Sequence, residues 1–206
     1  MEYNTYEGIM KRKYLTGEEV RSILRVIHDN KDSYRDYCMV SMAFLHGLRV
    51  TELVSLKISD YDPLSKKIYI KRLKGGLSTC HPLLPEEERV LNLWLSERKK
   101  IEGNHLPWLF LSQKGGRISR QRFYQLIRAY GEKANLPISV HPHMLRHACG
   151  YSLAERGNDT RLIQDYLGHR NIRHTVVYTA SNSERFVGAW LVRDKITMTS
   201  PLAHLY

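Results

Sequence analysis

The amino-acid sequence predicts a mainly α-helical chain carrying one small antiparallel β-sheet, an α+β arrangement. Three observations predict it. Apolar residues recur at helical spacing through most of the chain, one segment between 67 and 84 alternates on either side of a glycine pair, and the helical runs carry their own start and stop residues. With 206 residues, 42% of them hydrophobic and 26% charged, the chain can bury one good core and is too short for two generous ones.

Thr16 and Glu19 form an S/T-x-x-E capping box ahead of Val20, Ile23, Leu24 and Ile27, which predicts a helix over 16–29. Tyr37, Val40, Ser41 and Phe44 continue the helical period until Gly47, where a left-handed turn can end it. Arg49 then sits just past a helix end, and 51–56 allow one short further turn. Residues 67–73 alternate, Gly75-Gly76 signals a turn and 77–84 can return antiparallel, with Lys74 at the hairpin tip. Pro85 and Glu86, Glu87 and Glu88 suit the first turn of a helix over 85–100, and Arg98, Lys99 and Lys100 its last. A short strand is expected at 108–111, then a Gly115-Gly116 turn and a helix carrying Phe123, Leu126, Ile127 and Tyr130. The last third reads as helices over 142–156, 159–167 with Asp159 as N-cap and Gly168 as stop, 172–180 and 183–193. There is no internal repeat and no low-complexity linker.

Lys and Arg number 32 against 21 Asp and Glu, a net charge of +11. That balance favours a polyanionic partner. No stretch approaches the ~18 uninterrupted apolar residues of a spanning helix, and the opening residues lack the apolar core of a secretory signal. A soluble cytoplasmic protein is expected. Cys38, Cys80 and Cys149 are odd in number, widely spaced and without a C-x-x-C pair, so they are expected to be core or near-core thiols rather than disulfides or metal ligands.

His143-Met144-Leu145-Arg146-His147 places His143, Arg146 and His147 on one helical face, presenting a cation beside a proton-transfer group. Taken alone, this pentapeptide better describes a solvated surface helix. The paired histidines also invite a zinc reading, with His141 and His169 as further ligands. H-E-x-x-H, however, needs Glu where Met144 stands, and no metal is expected.

Downstream come Leu167-Gly168-His169 and, nine residues after that histidine, Tyr178. Together with Gly47-Leu48-Arg49-Val50-Thr51-Glu52-Leu53 and the hairpin lysine, this order resembles the tyrosine recombinase (phage integrase) family. The resemblance covers 14–192 and most favours the short DNA invertases of fimbrial phase variation. It implies that family's catalytic-domain fold, a basic leader at 1–13 and a tail at 193–206. No separate N-terminal core-binding domain is expected.

The resemblance also implies the chemistry. Tyr178 is the nucleophile, and a 3′-phosphotyrosine link stores the phosphodiester energy while strands exchange. Arg49 and Arg146 grip the non-bridging oxygens with planar forks. His143 takes the phenolic proton, His169 donates to the phosphate and Lys74 protonates the leaving 5′ oxygen. Glu52 supports Arg49. No cofactor is implied, and no G-x-x-x-x-G-K-[ST] is present.

Arg117, Arg120, Arg122 and Arg128, interleaved with Phe123 and Tyr124, are candidates for a DNA-facing helix, with plain surface solvation an equal reading. The expected partners are double-stranded DNA with inverted-repeat sites, further copies forming a tetramer on paired sites, and DNA-bending accessory proteins, all at the bacterial nucleoid. Phe186, Val187 and Trp190 give the tail an apolar face that can dock in cis or in trans. Two other readings remain: nicking and resealing in the manner of a type IB topoisomerase, and a DNA-binding regulator that has lost the reaction.

Overall fold

The computed structural model of the protein describes residues 12–29, 34–72 and 76–179. Helix α1 (Gly17–Asp29) starts at the expected capping box. The Thr16 amide donates to Glu19 Oε2 at 2.8 Å and the Glu19 amide to Thr16 Oγ1 at 3.2 Å. Helix α2 (Tyr34–Leu45) is buried nearly all round, from Asp36 to Ala43, and so serves as the hub of the core. Its one buried carboxylate, Asp36, is matched by the Tyr130 hydroxyl at 2.8 Å. Gly47, at φ +58°, ends the segment as its sequence position suggested, and the single turn α3 (Val50–Val54) follows at once.

A 3-10 turn (Ile58–Asp60) leads into a three-stranded antiparallel sheet of β1 (Tyr61–Asp62), β2 (Lys67–Ile70) and β3 (Thr79–Pro82), in that spatial order. Ile70 pairs with Thr79 and Lys67 with Pro82, so the two strands run antiparallel as expected. β1 is too short to have carried an alternating pattern in the sequence. Lys74 lies outside the described residues, as does the expected helix 183–193 with Phe186, Val187 and Trp190.

Helices α4 (Pro85–Arg98), α5 (Arg120–Lys133), α6 (Pro142–Glu155), α7 (Thr160–Leu167) and α8 (Arg173–Thr179) complete the described residues. α2 packs against α1, α4 and α6, while α6, α7 and α8 pack on one another. This second group has its own small apolar cluster of Cys149, Ala154, Ile163, Leu167 and Tyr178. α7 is bounded as expected: the Asp159 side chain accepts from the Arg161 and Leu162 amides, and Gly168 turns left-handed at φ +67°.

Two expectations are corrected. Residues 108–111 form no strand. They make only isolated bridges, Lys57 to Trp108 and Leu111 to Arg117. Two of their carbonyls are satisfied by side chains. Trp108 O accepts from Arg98 Nε at 3.0 Å and Leu109 O from Trp94 Nε1 at 3.0 Å. Cys80 is exposed, unlike buried Cys38 and Cys149, because it occupies the outward phase of β3 while its neighbour His81 points inward.

A Cβ at Gly168 would lie 2.7 Å from the Leu77 carbonyl oxygen and 2.8 Å from Arg72 Cγ, on a backbone that side chains rarely adopt. Gly168→Ala is therefore expected to destabilise the fold by roughly 2 kcal/mol or more, read as a lower urea midpoint at unchanged slope.

Candidate active site around Glu52

The turn at Gly47 throws the chain back toward α3 and leaves Arg49 extended, with φ −70° and ψ 150°, as the residue before that helix. Glu52 then reaches back one turn. Its Oε2 accepts from the Arg49 amide at 2.9 Å and its Oε1 from Arg49 Nη1 at 2.8 Å. The same carboxylate receives Arg72 Nη1, from the residues just after β2, at 3.0 Å. From α6, Arg146 Nη1 lies 3.9 Å from Glu52 Oε2. Three guanidinium groups far apart in sequence thus surround one buried acid.

Burial pushes the Glu52 carboxyl up, but the Arg49 amide and the Arg72 charge outweigh it, and the group is held below the usual range. Burial, then the neighbouring Arg49 and Arg72, push Arg146 down to about 10, still cationic near neutrality. Arg146 is 2% exposed and its fork is oriented by carbonyls: Nη1 donates to Gly47 O, and Nη2 to Leu167 O at 2.8 Å. Arg49 keeps 27% of its side chain exposed and faces solvent from the same cluster. Three cations against one anion leave an excess of positive charge with one accessible edge, a setting suited to an oxyanion.

Tyr178 stands beside this cluster on α8. Its ring is 2% exposed and rests on Gly150 of α6, where an added Cβ would come within 2.7 Å of ring atoms. Tyr151 meets the ring edge-on at 5.2 Å and His169 stacks near it at 6.5 Å between centroids. Burial, partly offset by Arg146, pushes the phenol up to about 12.

The phenol's hydrogen bond is with His147 Nδ1, at 3.1 Å, and not with His143. His143 is exposed one turn earlier and touches His147 edge-on at 4.6 Å. Burial first, then His143 and Arg146, lower His147 to about 4, so a neutral imidazole faces the phenol. His169, in the turn after α7, bonds Thr175 Oγ1 through Nδ1 at 2.9 Å.

The structure therefore gathers Arg49, Glu52, Arg146, His169 and Tyr178, with His143 alongside. Sequence reasoning missed Arg72 and passed over His147. Arg72 had a legible signal, since it shares the inward phase of Ile68 and Ile70 on the hairpin. His147 had one too, as the second histidine of the motif, one turn from His143.

Arg117, Arg120, Arg122 and Arg128 are exposed on or just before α5. The Arg117 guanidinium lies 4.8 Å from the Trp108 ring centroid and Arg128 pairs with Glu132 at 3.2 Å. Arg120 and Arg122 occupy the first turn, where the helix dipole repels cations and no acidic residue offsets them. Among the described residues no helix is long and apolar enough to cross a membrane, and no group of three His, Cys, Asp or Glu is placed to hold a metal ion.

Burial first, then cationic and histidine neighbours, push buried His81 and His169 to about 3, and His147 follows to about 4. Below the unfolded value of ~6.5 the unfolded chain binds these protons and the folded one does not, so stability falls as pH falls. Glu52, held low, loses its contribution only below ~4.5, outside that window. Urea melts are expected to show a loss on the order of 2 kcal/mol per fully buried ring between pH 7 and 5. Equal stability at both values would contradict the neutral, buried histidines.

The pattern of the phage integrase family matches residues 13–185. The type 1 fimbriae regulatory protein FimB of Escherichia coli (strain K12) is 52% identical over 180 residues, covering 87% of this chain and 90% of FimB. FimE of the same strain is 49% identical over 191 residues, covering 90% and 96%. Among solved structures, XerA recombinase superposes with a TM-score of 0.75 at 29% identity, over 91% of this chain and 67% of that one. The XerH site-specific recombinase bound to palindromic difH substrate, in its post-cleavage complex, gives 0.73 at 26% identity over 87% and 52%. With the match running through every element that builds the Glu52 cluster and the seat of Tyr178, this chain belongs to the phage integrase family.

Proposed function

We propose that this protein is a site-specific DNA recombinase that cleaves and rejoins strands through a 3′-phosphotyrosine intermediate and inverts a promoter segment controlling fimbrial expression. The observation that carries this reading is the cluster of Arg49 and Arg146 about Glu52 beside the buried phenol of Tyr178. The target follows from the likeness to FimB and FimE over nearly their whole lengths.

A backbone phosphate settling on the exposed edge of Arg49 meets the field of Arg146 from beneath, and the two cations offset the charge that builds at phosphorus. The Tyr178 oxygen attacks the phosphorus, a P–O bond to tyrosine forms and the bond to the 5′ oxygen breaks. The phenolic proton passes to the neutral imidazole pair of His147 and His143, and the leaving 5′ oxygen takes a proton from Lys74. His169 donates to the phosphate, and Glu52 orients the arginines. Attack by a partner strand's 5′ hydroxyl reverses the sequence, so no nucleotide or metal cofactor enters the scheme. Residues 14–192 act as the catalytic unit.

Arg120 and Arg122 face the DNA backbone from the first turn of α5, since a phosphate there offsets both their charges and the dipole. Arg117 and Arg128 flank them. The assembly is a tetramer on paired inverted-repeat sites, with the segment after Thr179 docking on a neighbouring copy and DNA-bending proteins assisting. It works in the cytoplasm, at the nucleoid.

Tyr178→Phe is expected to bind DNA normally and form no covalent adduct on denaturing gels; an adduct from that variant would remove the assignment. Arg146→Lys keeps the charge but loses the fork, and single-turnover cleavage is expected to fall by ~10²-fold or more. On DNA carrying two inverted sites, exchanged products support inversion. Nicked and resealed parental DNA alone would favour the topoisomerase reading, and binding without cleavage the regulator.

A further inference from the structure

Arg72 is a guanidinium that the scheme above does not use. Its side chain is 0% exposed and both terminal nitrogens are held by protein oxygens. It donates to Glu52 Oε2 at 3.0 Å, to His46 O at 3.0 Å and to Tyr166 O at 2.7 Å, joining the hairpin to the Gly47 corner and the last turn of α7. Taking a charge out of water is expensive, and three carbonyl and carboxylate partners repay that cost only in this geometry.

The division of Glu52 between its neighbours suggests a role beyond stapling. Oε1 is held by Arg49 Nη1 at 2.8 Å and Oε2 by the Arg49 amide at 2.9 Å and by Arg72 at 3.0 Å, whereas Arg146 stands 3.9 Å from that same Oε2, outside hydrogen-bond range. Were Arg72 absent, Arg146 would be the one remaining guanidinium beside Oε2, and a shift of ~1 Å about the Arg49 amide would bring the two into a direct buried ion pair, because attraction at that separation is strong in a low-dielectric interior. The Arg146 charge would then be committed to protein rather than to DNA.

We infer that Arg72 is a positioning residue: by occupying Glu52 Oε2 it keeps the Arg146 guanidinium available to the scissile phosphate. This rests on the Arg146 charge acting on that phosphate, as proposed above.

The test uses the full-length protein and single-turnover formation of the Tyr178 adduct at saturating DNA. Two substrates are compared, an ordinary one and one whose scissile phosphate is a neutral methylphosphonate. Arg72→Met is expected to slow cleavage of the ordinary substrate by ~10²-fold, the cost of losing one phosphate donor. Adding Glu52→Gln removes the competing anion and should return the rate to that of Glu52→Gln alone. The Arg72→Met deficit should also shrink at least ~10-fold on the methylphosphonate, where less charge has to be neutralised.

A double variant as slow as Arg72→Met, or equal deficits on both substrates, would mean that Arg72 is only a staple, and the inference fails. If Arg72→Met does not fold, Arg72→Lys decides. It keeps a cation at Oε2 while losing the fork to the carbonyls, so a rate within ~3-fold of the parent despite a lower Tm supports the inference. A rate that falls with Tm overturns it. Should Arg146→Lys itself cleave at the parent rate, the phosphate grip is wrong and the inference falls with it, separately from any result on Arg72.

Discussion

A single buried carboxylate decides where three cations stand. Arginine side chains are long, and guanidinium groups brought together without an anion repel one another. Glu52 removes that repulsion and imposes direction, taking Arg49 on one oxygen and Arg72 on the other while drawing Arg146 close. The helix end at Gly47, the outward end of β2 and the middle of α6 are held at one point because each contributes one of those arginines. Removing one partner of such a group leaves an uncompensated buried charge, which typically costs ~3–5 kcal/mol. The same residues are therefore fixed in place by stability.

Around that point the protein seats a phenol that holds its proton tightly. Tyr178 belongs to the small core of α6, α7 and α8, and burial raises its proton affinity even as Arg146 lowers it. A neutral His147 holds the hydroxyl. Such a group gives up its proton more readily when positive charge is close or when the proton has a destination, and arginine and histidine side chains are its neighbours here. Gly150 makes the seat possible, since any side chain there would intrude on the ring.

Much of the fold was legible because local rules decided it. The Thr16–Glu19 box, the left-handed glycines at 47 and 168, and the Asp159 cap all act within a few residues, and each appears where its sequence placed it. The 108–111 segment was misread for the complementary reason. Its apolar residues look like a strand, but their carbonyls are taken by Arg98 and Trp94, partners from α4 that no local pattern announces. Cys80 was misplaced because alternation gives two faces without saying which is inner until the sheet has packed.

For the site, the sequence by itself determined the chemical inventory: the order of Arg49, His143, Arg146, His169 and Tyr178, and the helical spacing that puts His143, Arg146 and His147 on one face. Those follow from residue identity and a 3.6-residue period, which are properties of the chain alone. Only the tertiary structure decided who bonds with whom. That Arg72 turns inward to Glu52, that the phenol meets His147 and that Arg146 stops 3.9 Å from the carboxylate depend on how α3, the hairpin and α6 pack together. Distances between groups tens of residues apart are set by packing, and packing is a property of the whole core.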